Sequence, residues 1–197
     1  MSSRLRFTAA RQVFEAFPAI AADIDMRPGD EPPLDFARKL LARARRFDAV
    51  TYAAYLLPRR EAVWWGCQCV RAIGEDKADD ALLAAEAWVR DPEEAQRRAA
   101  LSLSASGDRR VATTWLASAA GHSGGSITPE GSRPFAAPPH MTAVGVKVAI
   151  ILAIADSPLP GQSAWINACV EAAIAFAEGG DGKVRSPLRA ASKPGAA

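Results

Sequence analysis

The chain has few of the residues that metal sites and disulfide-rich domains require. Its 197 residues include two histidines and three cysteines. Three cysteines do not form a disulfide framework, which favours a reducing compartment. A four-ligand zinc site would need nearly all of the histidines and cysteines to converge. Cys67 and Cys69 stand two positions apart, and on a helix their thiols would point about 200° from each other. We therefore expect no metal and no cofactor.

The chain also lacks a charge excess of one sign and a long hydrophobic run. It has 24 basic and 22 acidic residues, for a net charge of +2, whereas nucleic-acid binders usually carry a strong basic excess. The most apolar segment, Met141 to Ala155, is shorter than the roughly 20 residues of a membrane span and contains Lys147. No signal-peptide stretch follows the basic N-terminus. We expect a cytoplasmic protein that neither binds nucleic acid nor inserts into a membrane.

What the sequence does contain is helical periodicity. Apolar residues recur every three or four positions between Arg59 and Ile73, which predicts a helix there. Asp91 and Pro92 predict the N-cap and first residue of another helix, which ends near Ala105. No alternating pattern typical of strands is present. The chain is predicted to be all-α, with one domain of about eight packed helices whose antiparallel pairs could stack in a HEAT-like manner.

Composition divides the chain into three parts. Residues 1–33 are predicted to be an N-terminal helix and a linker, and residues 34–178 a helical domain. Residues 179–197 are rich in Lys, Arg, Ser, Pro and Gly, and are predicted to be a disordered tail. Within the domain, a Gly/Ser/Pro-rich loop runs from Gly121 to Pro139. Loops of this length are often functional or disordered.

Residues 121–125, GHSGG, fit the G-x-S-x-G pattern of the α/β-hydrolase nucleophile elbow. That elbow requires a strand before the serine, and an acid and a histidine after it. Here a helix is predicted before Ser123, a loop is predicted after it, and only Glu130 and His140 follow nearby. A helix C-terminus that enters a loop explains the pattern better, with Gly121 at the helix end. We expect no enzyme, and a small serine hydrolase using Ser123 is the alternative.

Two adjacent tryptophans, Trp64 and Trp65, lie in the strongest predicted helix. Neighbouring helical residues point about 100° apart, so one indole can join the core while the other lies at a surface or in a groove. Trp and Arg are enriched at interface hot spots, and Arg59 and Arg60 precede this pair. The basic helical stretches at residues 36–46 and 93–98 are interpreted as solvated faces.

Residues 57–67, LPRREAVWWGC, resemble the signature of an uncharacterised bacterial family. The resemblance continues through residues 85–89, AEAWV, and residues 119–127, AAGHSGGSI, and it spans about residues 56 to 155. It implies a small cytoplasmic accessory protein of the kind associated with type VI secretion gene clusters. It implies no catalytic residues.

These observations favour a non-catalytic protein-interaction factor, an accessory or adaptor protein of a type VI-like secretion system. Its expected partner is a protein, either a secretion-system component or an effector. An immunity-type protein that neutralises a toxin is a further alternative, because it too would bind a partner through a helical surface. The predicted groove is built around three tryptophans, with the loop from residue 121 to 139 as a clamp. The predicted partner-binding residues are Arg59, Arg60, Trp64, Trp65, Trp88, His122, Ser123 and Ile127.

Overall fold

The computed structural model describes residues 5–74, 79–129, 131–157 and 161–187. Within these residues the chain forms nine α-helices, one short 3-10 helix at Pro18–Ala22 and a single isolated antiparallel bridge. The helices are α1 (Arg11–Ala16), α2 (Pro33–Ala42), α3 (Arg46–Leu56), α4 (Arg59–Ile73), α5 (Asp80–Arg90), α6 (Glu94–Ser106), α7 (Ala112–Gly121), α8 (Met141–Ala155) and α9 (Gln162–Ala177). The predicted all-α fold is confirmed.

Helix α3 lies at the centre of the fold. Every residue from Ala49 to Leu56 is buried, as is typical of a helix that is apolar on all sides. Helix α3 packs against α2, α8 and α9, and α8 also packs against α4 and α7. A HEAT-like solenoid would restrict contacts to neighbouring repeats. The contacts between helices that are distant in sequence instead close the helices into one bundle, so they do not form an open stack of pairs.

Two glycines allow α7 to lie very close to the helices on either side. A Cβ atom on Gly121 would lie 2.7 Å from the Cα of Leu101 in α6. A Cβ atom on Gly145 of α8 would lie 2.9 Å from the Cβ of Ala119. Because interiors are close-packed, a larger residue at either position would push the helices apart. Helix α7 ends at Gly121, as predicted from the helix interpretation of the GHSGG segment.

The N-terminal segment, predicted as a helix and a linker, packs onto α2 and α3. Val13, Ile20 and Ile24 are fully buried. The ring of Phe14 meets the ring of Phe36 edge-on, with centroids 6.1 Å apart, and lies 6.3 Å from the ring of Tyr52. Residues 5–33 therefore contribute to the main hydrophobic core. They do not form a linker that stands apart from it.

The start of α6 differs from the prediction. Helix α6 begins at Glu94, its N-cap is Glu93, and Asp91 does not cap it. A side-chain cap is present on α5, where the Asp79 carboxylate accepts a hydrogen bond from the Leu82 backbone N–H at 2.8 Å. That bond satisfies one of the free N–H groups that every helix start exposes.

Beyond α9, the chain folds back onto α4. Gly182 is buried, and a Cβ atom there would lie 2.9 Å from ring carbons of Trp64 and 2.8 Å from the Cβ of Phe176. Residues 179–187 of the predicted tail are thus in contact with the domain. Residues 188–197 lie outside the described residues.

Candidate functional site

Four arginines converge at one end of the bundle and donate hydrogen bonds to backbone carbonyls. Arg59 and Arg60 begin α4, and Arg97 and Arg98 lie in the first turns of α6. The last carbonyls of a helix have no intrahelical partner, and a guanidinium group offers five N–H donors in a planar fork. Each arginine at this end therefore satisfies carbonyls, at a helix end or in the loop after α7, that would otherwise depend on water.

Arg97 is the most buried of the four, with 4% of its surface exposed. Its guanidinium donates to the carbonyl of Gly121 at 2.5 Å and to that of Ser126 at 2.8 Å. It also holds both carboxylate oxygens of Glu94, each at 2.6 Å. The interpretation of this helix as a solvated face is therefore wrong for Arg97, because its charge lies between the helix and the loop that follows α7.

The Glu94 carboxylate is held in its ionised form. Hydrogen bonds from the Arg97 guanidinium, assisted by Arg98 at 2.8 Å, lower the pKa of Glu94 to about 2. A bidentate carboxylate–guanidinium pair also fixes the orientation of the arginine. Glu94 therefore holds the Arg97 guanidinium in the orientation in which it donates to the loop carbonyls.

Arg59 and Arg98 hold the same loop at three further carbonyls. Arg98 donates to the carbonyl of Thr128 at 2.6 Å. Arg59 donates to the carbonyl of Ser123 at 2.6 Å and to that of Pro139 at 3.4 Å. We call residues 121–139 the anchored loop. Apart from residue 130, which lies outside the described residues, its backbone is fixed at both ends and along one edge.

The anchored loop is also paired with itself. The backbone N–H of Ile127 donates to the carbonyl of Phe135 at 2.9 Å, and that of Ala137 donates to the carbonyl of Gly125 at 3.3 Å. Gly125 has a φ of +61°, which favours glycine, and a Cβ atom there would lie 3.2 Å from the Arg97 guanidinium. Close approach to the buried arginine therefore depends on this glycine.

The side chain of Phe135 projects from the anchored loop into solvent, with 60% of its surface exposed. No other large hydrophobic residue in the described part of the chain is more exposed. An aromatic side chain held on a fixed backbone loses little conformational entropy when a partner covers it. Phe135 was not among the residues predicted from the sequence, because a single aromatic in a Pro-rich segment carries no periodic signal.

A groove lies between α4 and α5. It has a volume of about 210 Å³ and is open to solvent on one side. Arg60 donates to the carbonyls of Val89 and Arg90 at one end of this groove, while the preceding residue, Arg59, holds the loop. We call it the Trp64 groove, and its lining residues are Trp64, Cys67, Gln68, Glu86, Val89 and Arg90.

Only one of the three tryptophans predicted to build a groove lines it. Trp64 is half-buried and packs its ring against Phe176, with centroids 4.7 Å apart. Trp65 has no exposed surface, and its indole N–H donates to the carbonyl of Cys169 at 2.8 Å. Trp88 is 5% exposed. Trp65 and Trp88 thus belong to the core. Of the three predicted tryptophans, Trp64 is the one that lies at the surface.

The remaining predicted residues lie in or beside the anchored loop. Ser123 follows helix α7, where a nucleophile elbow would have a strand. The His122 Nδ1 atom lies 2.7 Å from the carbonyl oxygen and 3.3 Å from the hydroxyl of Ser118. Among the described residues, no hydrogen bond joins the hydroxyl of Ser123 to an imidazole. The structure thus brings Ser123 to Arg59 through its backbone carbonyl, and it places Ile127 opposite Phe135.

The three cysteines are all buried and unpaired by disulfides. Burial raises the pKa values of the Cys67 and Cys69 thiols, which keeps both protonated. Across the described ranges, no group of three or more candidate metal ligands comes together. No described helix combines the length and apolar character needed to cross a bilayer.

Fold and surface together define a single-domain, all-α protein with an arginine-anchored loop beside a shallow groove. The chain belongs to a family of unknown function, DUF6931, which matches residues 36–177. The match includes α3 to α9 and the anchored loop, and it begins after most of the N-terminal segment. No curated protein and no solved structure matches the chain.

Proposed function

We propose that this protein is a non-catalytic interaction factor that binds a partner protein through the anchored loop and the Trp64 groove. The observation that carries the proposal is the exposure of Phe135 on a backbone that buried and half-buried arginines hold in place. Exposed aromatic side chains with fixed backbones are typical of interface hot spots.

Two neighbouring arginines of α4 link the two features. Arg59 contacts the loop, Arg60 contacts the end of α5, and Trp64 follows one helical turn after Arg60. The groove volume of about 210 Å³ suits one or two apolar side chains rather than a cofactor. We infer that one partner covers both Phe135 and the Trp64 groove.

An adaptor role in a type VI-like secretion system is the narrower form of this proposal, and it rests on the family resemblance alone. A toxin-neutralising role would use the same surface. The identity of the partner distinguishes the two, because an adaptor would bind a secretion component and an immunity protein would bind a toxin.

The test compares two variants that each remove one exposed phenylalanine. Phe135→Ala changes the anchored loop. Phe47→Ala is the matched control, because Phe47 is 54% exposed and lies in the first turn of α3, about 14 Å from the α4 end of that helix. Each tagged protein is expressed in its native bacterium and captured, and the bound proteins are quantified by mass spectrometry.

We expect the wild type and Phe47→Ala to retain similar amounts of the same partner. Phe135→Ala should retain at least about tenfold less of it, as is usual when a hot-spot aromatic is truncated. Titration of the purified partner by calorimetry then measures the same loss directly. Equal retention by all three proteins, with circular dichroism showing each folded, would contradict the proposed surface.

A further inference from the structure

The segment that follows α9 covers one edge of Trp64, a side chain that lines the Trp64 groove. Trp64 faces the groove on one side and stacks on Phe176 of α9 on another. The buried Gly182 lies against ring carbons of Trp64 and against Phe176. Val184, two residues later, is partly buried against the core. The segment therefore conceals apolar surface that is contiguous with the groove.

Among the described residues, few hydrogen bonds hold this segment. The backbone N–H groups of Gly179 and Gly180 bond to the last turns of α9. The next bond, from Lys183 N–H to the Asp181 carboxylate at 3.2 Å, is internal to the segment. Segments held by few contacts and by no bonds to the body of a protein are the first to open.

Glycine is required at the contact point for two reasons. Gly182 has a φ of +59°, a conformation that is costly for residues with a Cβ atom. A Cβ atom would also meet Trp64 and Phe176 at less than 3.0 Å. The closed position is thus compatible with glycine and is opposed by any other residue.

We propose that residues 181–187 form an intramolecular strap that covers Trp64 and Phe176 in the free protein, and that the strap leaves when the partner occupies the groove. The proposal rests on the proposed function for its partner, but the closed strap can be tested without one. When the strap leaves, Trp64 and Phe176 become one apolar surface continuous with the groove.

The first test uses trypsin on the full chain, because Lys183 and Arg185 in the strap are exposed. A protease needs its substrate released from the body of the protein, so the cleavage rate reports the open fraction. Gly182→Ala adds only the obstructing Cβ atom. Gly131→Ala is the matched control, since Gly131 also has a positive φ, +80°, but open space around its Cβ position.

We expect cleavage after Lys183 to be about tenfold faster in Gly182→Ala than in the wild type, the order of change expected when a left-handed residue acquires a Cβ atom. Gly131→Ala should match the wild type at this bond. Equal rates at Lys183 in all three proteins would overturn the strap.

The second test measures the concealed surface with the apolar dye 8-anilinonaphthalene-1-sulfonate. A chain that ends at Gly180 should bind the dye several-fold more than the full chain, and Trp64→Ala in the shortened chain should remove the gain. Circular dichroism checks that each variant is folded. An equal dye signal from full and shortened folded chains would show that the strap conceals nothing.

The regulatory step is tested with the partner captured by the wild type. Gly182→Ala should bind the partner more tightly, by about the same factor as its cleavage rate increases. The reason is that less free energy is then needed to open the strap. Unchanged affinity despite faster cleavage would refute the regulatory role, without affecting the surface tested by Phe135→Ala.

Discussion

Two long segments outside the main helix bundle, the N-terminal segment and the anchored loop, are held to the helices by opposite means. Residues 5–33 are held by apolar side chains, with Val13, Ile20 and Ile24 fully buried. The described residues of the anchored loop include no fully buried large side chain, and the loop is instead held by arginines from α4 and α6. The comparison teaches that a polar, glycine-rich loop can be fixed from outside by donors that lie far away in the sequence.

The largest expected effect removes an apolar contact of the N-terminal segment. Ile20→Ala should lower the free energy of unfolding by about 3 kcal/mol, because it leaves a cavity beside the aromatic cluster of α2 and α3. Urea denaturation with a far-ultraviolet readout measures this loss. Val111→Ala, at an exposed position, is the control and should cost little. A loss under about 1 kcal/mol for Ile20→Ala would mean that the segment is not part of the core.

The next effect removes the central donor of the anchored loop. Arg97→Met should lower the free energy of unfolding by about 2–3 kcal/mol, since the carbonyls of Gly121 and Ser126 lose their hydrogen bonds while the apolar stem is kept. Arg110→Met is the control, because Arg110 is exposed and pairs only with Asp108. If the two variants were equally stable, the loop would not depend on Arg97.

A third change, in the core onto which the N-terminal segment packs, is expected to raise stability. Tyr52 is fully buried beneath Phe14, and its hydroxyl has no hydrogen-bond partner. Burial raises the pKa of this hydroxyl well above its usual range. Tyr52→Phe should therefore raise the free energy of unfolding by about 1 kcal/mol, because an unsatisfied buried polar group is removed. A loss of stability in urea denaturation would show that the hydroxyl has a partner in solution.

The smallest effect is a dependence on pH that belongs to the anchored loop. The folded pKa of Glu94, about 2, lies below its ordinary value of 4.5, so its contribution to stability is complete above about pH 4.5. The contribution falls as the pH drops from about 4.5 to about 2, and it is lost below about pH 2. Glu94→Gln should reduce the acid sensitivity of the urea midpoint between about pH 5 and about pH 2.5. An identical pH profile for wild type and variant would contradict this role.

Local patterns predicted the helices well and the long-range contacts poorly. Helix α4 begins at Arg59 and ends at Ile73, as its periodicity and Pro58 predict. The two tryptophans of α4 differ in burial, since adjacent residues face different directions. Asp91 did not cap α6, because the chain is still extended at Glu93 and the helix starts after it.

The loop at residues 121–139 was predicted, but its anchoring by arginines was not, because those partners are distant in the sequence. Arg97 and Arg98 are charged residues of the kind that usually faces solvent, and nothing in α6 itself shows that a loop some 30 residues later covers them. Backbone carbonyls, which every residue has, accept the hydrogen bonds, so the loop sequence gives no sign either. Glycine and proline indicated the loop but not whether it is ordered.

The most direct test of the central claim is amide hydrogen exchange within the anchored loop. The N–H groups of Ile127 and Ala137 bond to carbonyls of the same loop. We predict that both are protected in the wild type and lose protection in Arg97→Lys, while amides of α8 are unchanged, because one ammonium group cannot serve both Gly121 and Ser126 in the geometry of a guanidinium fork. Exchange of Ile127 and Ala137 at unprotected rates in the wild type would show that the arginines do not hold the loop.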